Sequence, residues 1–139
     1  MIMEIEKIKK YNELIARFMK YKSKKIKYTD FKILSFKIPF LVDIDNDGFI
    51  YSHMLKFNTS WDWLMPVIER IEFLDYDTII FRNRVNEENN LSYGFHIKKY
   101  NTAYVEAIIK EWGDTKIETV YKGVIKFIKW YNKKNLSYK

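Results

Sequence analysis

Two runs of strand-like residues, Asp77–Arg84 and Leu91–Lys99, flank the polar stretch Asn86-Glu87-Glu88-Asn89-Asn90. That pattern commits the middle of the chain to an antiparallel hairpin. With Val85 and Leu91 flanking the loop, Arg84 opposes Ser92, Arg82 opposes Gly94 and Ile80 opposes His96. Alternation then separates two faces. Ile79, Phe81, Tyr93, Phe95 and Ile97 suit a core, and Arg82, Arg84, Ser92, His96 and Lys98 form a basic face on which Gly94 lets a ligand approach the backbone.

The remaining elements follow from hydrophobic spacing. Residues 3–20 place Ile5, Ile8, Tyr11, Ile15 and Phe18 at helical intervals, with Leu14 and Met19 alongside. Lys22-Ser23-Lys24-Lys25 beyond them reads as a solvated connection. From Tyr28 to Phe57 the period shifts towards two, broken by Pro39 and Asp45-Asn46-Asp47-Gly48, which predicts three strands with a hairpin turn at Asp47-Gly48. Thr59 or Ser60 caps a second helix running to about Leu74. Pro66 either kinks that helix or lies in the first turn of its regular part. Asn101 or Thr102 opens a third helix ending at Gly113, and Thr115-Lys116-Ile117-Glu118 has the capping-box pattern of a last one. The expectation is an α+β fold, an antiparallel sheet of about five strands packed by about four helices in the order α-β-β-β-α-β-β-α-α, in a single domain over 1–139.

Composition narrows the chemistry. The chain has no cysteine, so thiol nucleophiles, disulfides and thiolate metal sites are absent, and a reducing cytosol is the expected location. Met1-Ile2-Met3 is followed at once by Glu4, Glu6 and Lys7, which does not resemble a signal peptide, and no apolar run has the length of a membrane span. The net charge of +7 comes mainly from lysine. Only Arg17, Arg70, Arg82 and Arg84 supply guanidinium forks, so the closeness of the last two draws attention.

Asp43-Ile44-Asp45-Asn46-Asp47-Gly48-Phe49-Ile50 opens like a calcium loop, but Met54 stands where a bidentate carboxylate belongs and the flanks read as strands, so no metal is expected. His53 and His96 lie in different strands, and no serine sits in a glycine-flanked elbow. No cofactor and no catalytic residue are assigned, and the expectation is a binding protein, not an enzyme. The ligand-binding residues expected are Arg82, Arg84, His96, Lys98 and Ser92 for phosphate, with Trp61 or Trp63 for stacking on a base. Trp61 and Trp63, two apart on a helix, cannot share one face, so one is expected in the core and the other at an edge.

Trp61-Asp62-Trp63-Leu64-Met65-Pro66-Val67-Ile68-Glu69-Arg70-Ile71-Glu72 resembles the hallmark segment of a family of small uncharacterised proteins encoded by phages and prophages. Asn12–Met19, and Lys116–Tyr121 with Phe127–Asn132, fit the same family. The resemblance implies phage origin and the host cytosol as the place of action. Small phage proteins of this kind are often counter-defence factors that act by binding. The expectation, drawn together with the basic face, is a protein that sequesters, without turnover, a small phosphorylated nucleotide signal such as a cyclic oligonucleotide or a cyclic ADP-ribose relative, in sites that a homo-oligomer can share. The alternatives are an anti-CRISPR-like inhibitor that binds a host defence protein through Trp61 and Trp63, and a nucleic-acid-binding protein that uses lysine-rich helix faces.

Overall fold

The structure, a computed structural model, describes residues 4–19, 22–25, 40–43, 49–51, 54–84, 91–102 and 106–136. The chain divides into two compact units, Met1–Lys56 and Phe57–Lys139.

In the first unit, α1 (Ile5–Phe18) carries Arg17 in its last turn, where a cation complements the helix dipole. Burial is concentrated in its second half. Ile15, Ala16 and Phe18 are buried whereas Ile5 is 83% exposed, so the apolar stripe is shorter than its sequence spacing. Asn12 is buried with them, and its Nδ2 donates to the Leu55 carbonyl at 3.0 Å. Strands β1 (Lys22–Lys25), β2 (Phe40–Asp43) and β3 (Phe49–Tyr51) form an antiparallel sheet in that order. The lysine run read as a connection is therefore a strand, paired from Lys22↔Asp43 to Lys25↔Phe40. The backbone ladder to β2, not side-chain preference, holds it. Residues 44–48, with the expected Asp47-Gly48 turn and most of the calcium-like loop, and His53 lie outside the described residues.

The second unit runs α2 (Trp61–Phe73), β4 (Tyr76–Arg84), β5 (Leu91–Lys99), β6 (Ile109–Gly113) and α3 (Lys116–Leu136). Ser60, extended at φ −130°, precedes α2, and Pro66 lies inside that helix. Leu64, Val67, Ile68 and Ile71 form its buried stripe. Thr115 caps α3 as the box pattern predicts, its Oγ1 accepting from the Glu118 N–H at 3.2 Å. The Glu118 carboxylate lies 2.9 Å from Lys122 Nζ. Thr115→Ala should lower stability by about 1 kcal/mol, read as a drop in Tm, because the donor it leaves has only water as a substitute.

The three strands form an antiparallel sheet ordered β4-β5-β6, with β5 central. One face is covered by α3. Phe95 packs under Gly123, Tyr76 meets Phe127 edge-to-face at 5.0 Å, and Lys126 Nζ closes an ion pair with Glu111 Oε2 at 2.5 Å. Val120, Tyr121, Val124, Phe127 and Ile128 of α3 are all buried with Phe95, Ile97 and Ile109.

The architecture is α+β, with antiparallel sheets and helices, but its count differs from the expected one. The described residues hold three helices and two three-stranded sheets. The expected third helix does not span 101–113, because Ile109–Gly113 is β6, hydrogen-bonded along the second edge of β5 from Ile97↔Ile109 to Tyr93↔Gly113. Asn101, at φ 58°, turns the chain after β5 where a helix cap was expected. Gly113 closes a strand instead of a helix, packed against Thr119.

Candidate functional site on the open sheet face

The β4–β5 register decides which side chains meet. Arg84 pairs with Leu91, Asn83 with Ser92, Arg82 with Tyr93, Phe81 with Gly94, Ile80 with Phe95 and Ile79 with His96. This is one residue away from the sequence expectation, and a slip of one moves a whole strand's side chains to the other face. Directly opposed residues point the same way, so Arg82 joins Tyr93 and Phe95 on the helix-covered face, at its β4 margin. Ser92, His96 and Lys98 share the other face with Asp77, Ile79, Phe81 and Asn83. The expected arginine–serine–histidine–lysine cluster is therefore divided by the sheet.

From β6 the open face receives Lys110, opposite His96, and Trp112, opposite Gly94. Phe81, His96 and Trp112 form a mutual edge-to-face triad, with centroids 4.9 Å apart for Phe81–His96, 5.2 Å for Phe81–Trp112 and 5.8 Å for His96–Trp112. Edge-to-face contact sets the positive ring edge against the negative face, which holds the rings in place. Gly94 provides the floor. A Cβ there would run into the Phe81 and Trp112 rings, so the space beside its backbone is taken by this chain's own side chains and not left for a ligand.

His96 Nε2 is buried without a hydrogen-bond partner. Burial of the ring, aided by the Lys110 charge, holds its pKa below the ordinary imidazole value. The ring is thus neutral at pH 7 and packs as an aromatic, and a phosphate would meet no charge on it. Lys110 is drawn towards Glu106, its Nζ 2.7 Å from Oε1, and that contact holds the Glu106 carboxyl below its ordinary pKa.

Beside the triad lies a shallow hollow of about 420 Å³ lined by Asn83, Ser92, Trp112, Gly113 and Asp114. Trp112 is 45% exposed, so part of its indole is free for a ligand to stack on. Around it stand an amide that donates and accepts, a hydroxyl that does both, and an acceptor carboxylate. Such a rim suits a flat, donor-bearing ring more than a bare anion. Ser92 is the one expected site residue in this lining. Lys98 lies on the same face, six residues along β5 from Ser92, roughly 20 Å at the strand rise of about 3.3 Å per residue. Trp112 and Asp114 were missed because 109–113 reads as helix, on which Trp112 has no reason to face the hairpin, and Asn83 because the expected register sets it opposite Tyr93 on the core face.

Trp61 and Trp63 are elsewhere, on α2. Both are partly exposed, so neither fills the core as expected of one of them, and Trp63 sets its ring edge-on to Phe57 at 5.2 Å. Among the described residues, no three side chains of metal-ligating type come together, and no helix is long and apolar enough to cross a membrane. The chain matches no family model, no curated protein and no solved structure.

Proposed function

We propose that the protein binds a nucleotide-type ligand, without turning it over, on the open face of the β4-β5-β6 sheet. The observation that carries this reading is the part-exposed Trp112 beside a hollow rimmed by Asn83, Ser92 and Asp114. The base stacks on the indole and its N–H groups meet the amide and the carboxylate. The net charge of +7 favours approach of the phosphates. The segment resemblance supports phage origin, and with it a cyclic oligonucleotide or cyclic ADP-ribose type of host immune signal as the ligand, held in the host cytosol.

Titration of the full chain with a panel of cyclic dinucleotides, cyclic trinucleotides and cyclic ADP-ribose isomers, followed by calorimetry, tests it. One of them should bind and be recovered intact. Trp112→Ala should weaken that binding by about 5- to 150-fold, since a base–aromatic stack is worth about 1–3 kcal/mol. Arg82→Ala, on the opposite face, should change it by no more than about twofold at physiological salt. Binding that survives Trp112→Ala but is lost in Arg82→Ala sinks the site assignment, and failure of the whole panel sinks the ligand class.

A protein partner, such as a host defence effector, is the second reading. Ile79 and Trp112, 43% and 45% exposed on the same face, have the character of an anchor pair. Co-purification of one stoichiometric host protein, lost in Trp112→Ala, would favour it. Direct nucleic-acid binding gains less support from the α3 lysines, because Lys122 and Lys126 are paired with Glu118 and Glu111.

A further inference from the structure

We infer that β4 is a self-pairing edge, and that two copies of the chain join along it into one continuous antiparallel sheet ordered β6-β5-β4-β4-β5-β6. This goes beyond the ligand reading and does not depend on it. β4 lies at the margin of its sheet, and among the described residues it pairs with β5 alone. Edge strands are normally protected by shortness, charged side chains (lysine above all), proline or a bulge. β4 has nine residues, contains neither lysine nor proline, has its charged residues Asp77, Arg82 and Arg84 outside the central Thr78–Phe81, and pairs with β5 without interruption from Tyr76 to Arg84. Its centre is apolar and open to solvent, with Ile79 43% and Ile80 36% exposed. The opposite edge, β6, has five residues and an exposed lysine.

The occupant is a second copy because the strand is complementary to itself. A two-fold axis normal to the sheet keeps each face on its own side, so opposed residues must belong to the same face. An axis through Ile80, the middle residue, pairs the strand along its whole length. Ile80 then meets its own counterpart, Ile79 meets the partner's Phe81, Thr78 meets the partner's Arg82 and Asp77 meets the partner's Asn83. Apolar residues thus oppose apolar ones and polar residues oppose polar ones. Displacing the axis to Ile79 leaves the strand ends unpaired and sets Asp77 against an aromatic ring. The contact is isologous and closes at two copies. It also brings the partner's Asp77 beside Asn83, adding a carboxylate to the rim of the hollow.

Sedimentation velocity on the full chain across a hundredfold concentration range reads this directly. A reversible dimer of twice the chain mass is expected. Asn83, exposed at the edge, gives a test that depends on sign. Asn83→Asp sets like charges opposite each other at two symmetric places and should weaken the dimer about tenfold, whereas Asn83→Lys faces the partner's Asp77 and should tighten it. Ile80→Lys should yield a monomer. If that variant does not fold, as judged by circular dichroism, the Asn83 pair decides alone. A wild-type chain that stays monomeric throughout, or a dimer indifferent to both Asn83 substitutions, overturns the inference.

Discussion

Gly123→Leu is expected to cost more than about 4 kcal/mol of stability, read as a large fall in the urea midpoint. Gly123 lies on the face of α3 pressed against the sheet, and even a Cβ there would strike Cδ2 of Phe95 and come within 2.9 Å of its Cε2. Phe95 is fully buried, so it has no open direction in which to retreat. Alanine sets two effects against each other. Helix propensity favours it over glycine by about 1 kcal/mol, and overpacking costs typically about 1–3 kcal/mol, so Gly123→Ala should range from neutral to destabilising by about 2 kcal/mol. Leucine adds three more carbons to the same collision, and a loss above about 4 kcal/mol is a large part of the roughly 5–15 kcal/mol available to a domain. Urea denaturation followed by far-UV circular dichroism measures both. A Gly123→Ala variant more stable than the parent would mean that α3 does not sit on Phe95 in this way.

Gly94→Val is the second large effect, and it couples stability to the proposed site. On the open face the added methyl groups would occupy the space of the Phe81 and Trp112 rings, whose Cε2 and Cζ3 atoms lie 2.6 and 2.8 Å from an ideal Cβ. These rings are nearer the surface than Phe95, so they can swing outwards. The expected loss is about 2–3 kcal/mol, reduced by valine's preference for strands of at most about 1 kcal/mol. The swing moves Trp112 away from the hollow, so nucleotide binding should fall by at least as much as in Trp112→Ala while the chain remains folded. Adding Phe81→Ala to Gly94→Val makes room for the methyl groups, and the double variant should be more stable than the sum of its single losses implies. Strict additivity would show that Gly94 and Phe81 are not in contact.

The limits of sequence reading are clear in the same residues. Strands β4 and β5 are legible from composition and from the polar loop between them. Their register is not, because Ile79-Ile80-Phe81 is apolar at three successive positions and removes the alternation that would tell one face from the other. Two registers one residue apart are then both compatible with the sequence, and the one adopted sends Arg82 to the helix side and Phe81 to the open side. α3 was readable to its cap because Thr115 and Glu118 act within one turn and the buried stripe is regular. β6 was not, since Ile108, Ile109 and Trp112 also fall at helical intervals.

Local chemistry, acting over a few residues, settles the Thr115 cap, the strand character of the hairpin and the absence of thiol chemistry. Strand identity at 22–25 and 109–113, the division of the basic residues between two faces, and the union of Asn83, Ser92, Trp112 and Asp114 around one hollow come from pairing between distant segments. The reason is energetic. A backbone ladder to an available edge satisfies N–H and C=O groups that would otherwise lose water on burial, and each unmade bond costs about 1–3 kcal/mol. That exceeds the few tenths of a kcal/mol per residue by which lysine or alanine disfavours a strand.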